Sequence, residues 1–185
     1  MSSSIPGFDA PAVGFEQPFE MLTACHDRVR GSLALLGRLI EHVDAHGHDN
    51  QSRSAAADVL RYFDLAAPLH HQDEELHVFP LLIGSGEADL VAAVATLLRD
   101  HAQMETLWRG LRTTLAAWAL PGAAAAIDSS LRQQAAAFDA VYASHLQTEE
   151  GQVFPAARAR IGVQRLAAMS ADMQQRRRAA PPAAT

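Results

Sequence analysis

The sequence predicts an all-α protein: an up-and-down antiparallel four-helix bundle with a short fifth helix at its C-terminal end. Three observations carry this. Alanine, the strongest helix former, occurs 37 times in 185 residues, while isoleucine and valine together occur 15 times. Apolar residues recur at steps of three and four over four long stretches, the pattern of a helix with one buried face. Short polar turns containing glycine or proline separate the stretches, and short connections make helical neighbours antiparallel.

Taken in order, residues 1–17 hold Ser, Pro and Gly and are expected to be a flexible N-terminal segment. A first helix is expected from Phe19 to His46. Its stripe is Leu22, Val29, Leu33, Leu36, Ile40 and Val43, with His26 in step. Gly47 to Gln51 reads as a polar turn with a glycine stop. The second helix is expected to use Ser52 or Ser54 as N-cap and to run to about Val78 along Leu60, Phe63, Ala67, His70, Glu74 and His77. Pro68 inside it demands a kink or a local rearrangement. Phe79-Pro80 and Gly84-Ser85-Gly86 mark its end.

The third helix covers Glu87 to Ala119, with a seam of Leu90, Val94, Leu97, His101, Met104, Trp108, Leu111, Leu115 and Trp118; Pro121-Gly122 breaks it. The fourth runs from about Ala124 to Val153, with Leu131, Phe138, Tyr142, His145 and Glu149 on one face, and ends near Phe154-Pro155. A fifth helix is expected over Ala156 to Met173. Residues 174–185, beyond the bundle (18–173), read as a disordered, arginine-bearing tail whose removal is expected to leave the metal site intact.

Composition narrows the function. The net charge is −6 and all 15 positive residues are arginine, so no lysine nucleophile or phosphate-loop lysine exists. An acidic chain also argues against nucleic acid as a partner. The single cysteine forms no intramolecular disulfide and suits a reducing compartment. No basic-then-apolar leader and no apolar run of about 18 residues is present, so a membrane is not an expected partner and a cytoplasmic location is expected.

The most informative feature is an internal repeat of 75 residues. His26 and His101, His70 and His145, and Glu74 and Glu149 are each separated by 75 positions. The flanking sequence agrees: His70-His-Gln-Asp-Glu-Glu-Leu-His-Val-Phe-Pro80 matches His145-Leu-Gln-Thr-Glu-Glu-Gly-Gln-Val-Phe-Pro155. The chain is two copies of one helical hairpin, each giving a lone His and a His-x-x-x-Glu.

On a helix, residues i and i+4 lie one turn apart on one face, so each His-x-x-x-Glu grips a single centre. All six positions point into the bundle. Buried carboxylates are costly unless paired or metal-bound. Four imidazoles and two carboxylates in one layer suit two divalent ions bridged by the carboxylates. Structural zinc prefers thiolates, and calcium and magnesium prefer all-oxygen sites; a nitrogen–oxygen set of this kind fits iron best, with manganese or zinc as substitutes.

With these motifs the chain resembles the hemerythrin-like family, the His-His-Glu cation-binding domain, over roughly residues 18–156 and in its branch with two His-x-x-x-Glu motifs. The resemblance implies a four-helix bundle with a non-haem di-iron centre. By it, His26, His70, Glu74, His101, His145 and Glu149 would be the metal ligands. Glu74 and Glu149 would bridge two iron ions beside an oxo or hydroxo group. The oxygen-carrying members have five histidines, with a His-x-x-x-His on the third helix. Here Glu105 stands four residues after His101, so reversible oxygen carriage is not the expectation.

The resemblance implies a protein that binds or senses iron, oxygen, nitric oxide or peroxide. An enzyme that disproportionates peroxide, reduces nitric oxide or repairs iron clusters is one alternative. A metal-free helical scaffold is the other. Five neighbours have two readings each. His77 is a ligand or an end-of-bundle histidine. Tyr142 is a core residue or a partner of bound oxygen species. Glu105 is an acceptor behind the ligands or a rim charge. Glu75 and Glu150 are bystanders or acceptors behind the ligands. Cys25 reads as a packed thiol, and His42, His46 and His48 as a helix-end cluster without a carboxylate partner set.

Overall fold

The computed structural model describes residues 14–179. Helix α1 is Pro18–His46 and stops at Gly47, whose φ of 81° is open to glycine without steric cost. Helix α2 runs without a break through Asn50–Arg61, Tyr62–Ala66, Ala67–Asp73, Glu74–Val78 and Phe79–Ile83. Helix α3 is Ala88–Trp118. Helix α4 joins Ser129–Thr148, Glu149–Val153 and Phe154–Arg158, and α5 is Val163–Ala179. No strand is present among the described residues.

The four long helices form the expected antiparallel ring. Phe19 at the start of α1 meets Phe154 near the end of α4, and Asp44 near the end of α1 pairs with Arg132 near the start of α4. Two apolar clusters fill the interior. One is built around Val29, Leu36, Phe63, Leu111 and Phe138, the other around Leu22, Phe79, Leu97 and Val153. The layer of six polar positions lies between them.

Three segments pair as π turns, Tyr62–Ala66, Glu74–Val78 and Glu149–Val153, and each begins six residues before a proline: Pro68, Pro80 and Pro155. Proline lacks an N–H and crowds the carbonyl four residues back. Widening the helix by one residue relieves that crowding. The N–H of Ala67, Phe79 and Phe154 then bonds the carbonyl of Tyr62, Glu74 and Glu149 respectively. This is the rearrangement expected at Pro68. It also corrects the reading of the two Phe-Pro pairs as helix ends, since α2 continues to Ile83 and α4 to Arg158.

Other boundaries differ for local reasons. The N-cap of α2 is Asp49, not Ser52 or Ser54. Ser52 supplies the reciprocal half of a capping box: its N–H donates to Asp49 Oδ1, and its Oγ accepts from the Asp49 N–H, both at 2.8 Å. Helix α4 starts later than Ala124, because Asp128 caps the Leu131 N–H at 2.7 Å.

The fifth helix is displaced toward the C-terminus, so residues 174–179 are helical rather than part of a disordered tail. Tertiary contact decides this. Met169 and Met173 are buried in the core, and Arg176 and Arg177 pair with the fully buried Asp73 at 2.5 and 2.6 Å. Of the segment expected to be flexible, residues 14–17 form a turn whose Phe15 carbonyl accepts from Ser170 Oγ. Residues 1–13 and 180–185 of the two expected terminal segments lie outside the described residues.

Candidate metal centre

Each of the four long helices contributes to one layer: His26 from α1, His70 and Glu74 from α2, His101 from α3, His145 and Glu149 from α4. All six side chains are buried. The imidazoles form two pairs, with Nε2 to Nε2 distances of 3.1 Å for His26 and His70 and 3.2 Å for His101 and His145.

The carboxylates lie between the pairs. Glu74 Oε1 is 3.0 Å from His70 Nε2, and its Oε2 is 3.5 Å from His101 Nε2. Glu149 Oε2 is 3.2 Å from His26 Nε2, and its Oε1 is 3.1 Å from His145 Nε2. Each carboxylate thus turns one oxygen to each imidazole pair. Two groups of four, His26-His70-Glu74-Glu149 and Glu74-His101-His145-Glu149, can each bring one donor atom per residue within 4.8 Å of the others.

Electrostatics explains how so much polarity is buried. Burial alone would raise the Glu74 carboxyl, but the charge of His70 and the nearby His101 and His26 imidazoles hold it well below the carboxylate range. Burial would lower His26, yet the Glu149 and Glu74 carboxylates raise it to about 9. His70 is raised the same way, chiefly by Glu74. All four carboxylate oxygens of Glu74 and Glu149 are nevertheless buried without a hydrogen bond of acceptable geometry. Buried oxygens of this kind need a partner, and the donor set fits metal cations.

The other ring nitrogens fix the tautomers. His26 Nδ1 lies 2.8 Å from Glu150 Oε1, and His101 Nδ1 lies 2.7 Å from Glu75 Oε1. A carboxylate only accepts, so each Nδ1 carries a proton, and Nε2 is the nitrogen left to hold a metal ion once its own proton is lost. Glu75 and Glu150 are therefore acceptors behind the candidate ligands. Each lone His is held by a Glu from the other copy of the repeat. His145 Nδ1 faces Asp100 Oδ2 at 3.3 Å. The equivalent position in the first copy is Cys25, beside His70. Burial would raise that thiol, but His70, Arg177 and Arg28 bring it below its usual value. Asp100 was not foreseen, although it precedes the lone His as Cys25 does.

The remaining candidates sort by position. His77 is not in the layer; its Nε2 pairs with Asp172 of α5 at 2.7 Å. Glu105 is a rim charge, 77% exposed and 3.7 Å from Arg109. Tyr142 is buried next to the layer, and burial pushes its hydroxyl well above the usual phenol range. His42 does reach a carboxylate, Asp49 Oδ2 at 3.0 Å, but among the described residues His42, His46 and His48 form no metal-holding group. His71 follows the candidate ligand His70 directly. Its ring stacks on His101 with centroids 3.9 Å apart, and burial with the charge of His101 holds it well below the usual imidazole range.

The two halves of the layer differ. Beside His26, Arg30 Nη2 donates to both oxygens of Glu150 at 2.8 Å. The repeat puts Glu105 where Arg30 would stand in the second copy, and Glu75 has no arginine partner among the described residues. A cavity of about 490 Å³ opens on this side, with His101, His71 and Tyr142 on its wall.

The family model described as the hemerythrin HHE cation binding domain matches residues 17–157. An uncharacterized protein of Haemophilus influenzae is 33% identical over 101 residues, which are 55% of this chain and 58% of that protein. The match thus spans less than two thirds of that relative's length. No described helix is long and apolar enough to cross a membrane. With the match covering the whole four-helix ring and all six residues of the layer, the chain belongs to the hemerythrin HHE cation-binding family.

Proposed function

We propose that this chain binds two iron ions in the polar layer and uses them to bind or sense a diatomic molecule or peroxide. His26 and His70 would hold one ion, His101 and His145 the other, and Glu74 and Glu149 would bridge them. The observation that carries this reading is the division of each carboxylate between the two imidazole pairs, one oxygen to each. A lone site would need only one of the two groups of four.

Donor chemistry favours iron over the alternatives. Two imidazoles and two shared carboxylates suit a borderline metal, where structural zinc prefers thiolates and calcium takes only oxygens. Four protein groups per ion leave positions free on a six-coordinate iron, and a bound iron pair supplies electron transfer to and from a small molecule there. The chain's own residues contribute a dry layer between two apolar clusters. They also contribute carboxylates at Glu75 and Glu150 that keep both lone histidines in the metal-binding tautomer. A cytoplasmic location accords with the single cysteine.

Metal analysis with the ultraviolet–visible spectrum of the aerobically purified protein tests this. About two irons per chain, with near-ultraviolet charge-transfer bands that shift on adding peroxide or nitric oxide, is the expected result. A colourless protein that takes up no ferrous iron under anaerobic conditions would overturn the iron reading.

A further inference from the structure

The four imidazoles of the layer are not backed alike. In the half formed by His101 and His145, each ring has its own carboxylate behind it. Glu75 Oε1 lies 2.7 Å from His101 Nδ1, and Asp100 Oδ2 lies 3.3 Å from His145 Nδ1. Neither carboxylate pairs with an arginine among the described residues. Arg99, next to Asp100 in sequence, turns instead to Thr96 Oγ1 at 2.9 Å.

The half formed by His26 and His70 has one such carboxylate, and it is shared. Glu150 Oε1 accepts from His26 Nδ1 at 2.8 Å, while Arg30 Nη2 donates to both Glu150 oxygens at 2.8 Å. His70 Nδ1 is buried without a hydrogen-bond partner. Beside it stands Cys25, a thiol where the repeat has the carboxylate of Asp100, and Arg28 and Arg177 lie close enough to act on that thiol.

Hydrogen bonding and charge act in the same direction. A carboxylate behind a ring N–H makes the opposite nitrogen a stronger metal ligand. An arginine on that carboxylate draws its charge away, and also repels a cation directly. A dication therefore meets two unshared carboxylates behind its ligands in one half, and one arginine-bound carboxylate in the other. We infer that the ion site at His101 and His145 fills before the site at His26 and His70, and that Glu75 and Asp100 are the positioning residues that set this order. The order rests on the two-ion reading for its second ion. It makes the singly loaded protein one defined species, with its ion on a known side.

The test uses manganese(II) under anaerobic conditions with the full-length purified protein. Two dications in neighbouring sites repel each other and space the binding steps even when the sites are alike, so the readout is where the first ion sits. Crystals of protein loaded with one manganese per chain, mapped at the manganese absorption edge, should show the ion at His101 and His145. Calorimetry should agree: His70→Ala, which keeps that half whole, should hold an ion about tenfold more tightly than His145→Ala. Glu75→Gln combined with Asp100→Asn should move the first ion to His26 and His70. Carboxylates with a merely structural role would weaken binding without moving the ion.

A first ion at His26 and His70, or one divided equally between the halves, with two ions at saturation, would overturn the order and leave the two-ion reading standing. A single ion at saturation, held at His101 and His145, would sink the two-ion reading and leave the ranking of the halves. If the double variant does not fold, the wild-type crystals decide the order alone.

Discussion

His26 and Glu150, 124 positions apart in the chain, are joined by a 2.8 Å contact between Nδ1 and Oε1. The equivalent pair, His101 and Glu75, meets at 2.7 Å. In both, the Glu directly follows a candidate ligand on one hairpin and orients the lone His of the other. The two copies of the repeat thus complete each other's histidines, and neither hairpin holds its own.

Glu150→Gln and Glu75→Gln should therefore lower metal affinity without removing a ligand. Loss of a carboxylate behind a metal-binding histidine costs about 10- to 100-fold. Competition with a coloured chelator should show this, with circular dichroism unchanged. Unaltered affinity in both variants would show that tautomer control is not their role.

His70→Ala and His145→Ala should each lower bound metal and thermal stability together, because metal held only by the native state stabilises it. Chelation of the wild-type protein should lower its Tm in the same way. A variant that keeps its metal and its Tm would remove that histidine from the ligand set.

The metal-free protein should lose stability at high pH. His26 is raised from 6.5 to about 9 by the Glu149 and Glu74 carboxylates, against the opposing effect of burial. Its contribution is then fully present below about pH 6.5 and is lost as pH rises through about 9. The metal-binding form of His26 is unprotonated, so metal uptake between those values should release protons. Thermal melts of chelated protein from pH 6 to 10, and proton release on metal addition at pH 8, check both signs.

Truncation after Met173 should destabilise the protein. Sequence alone suggested that the metal site does not depend on this segment, but the cut removes Arg176 and Arg177 and leaves Asp73, fully buried next to Glu74, without its cations. Breaking a buried pair costs about 3 kcal/mol. Combining the truncation with Asp73→Asn should recover part of the loss in a denaturant melt. If truncation leaves the melt unchanged, α5 is not a structural clamp.

The sequence by itself determined the fold class and the six-residue set. Both rest on periodicity, which survives in one dimension: heptad-like seams, a 75-residue offset, and a His-x-x-x-Glu that any helix folds onto one face. The Phe-Pro pairs were legible as markers. Their effect, a π turn opening at Glu74 and Glu149, was not, because it depends on how one proline ring meets the preceding turn.

Tertiary structure alone decided what comes from far away in the chain. Asp100 behind His145, Arg30 on Glu150, Asp172 on His77 and the two arginines on Asp73 are ordinary surface residues by local pattern. They acquire their roles only when helices pack side by side. The cavity beside His71 belongs here too. It exists because small and aromatic residues of three helices fail to fill the space between them, and such a volume has no signature along a single strand of sequence.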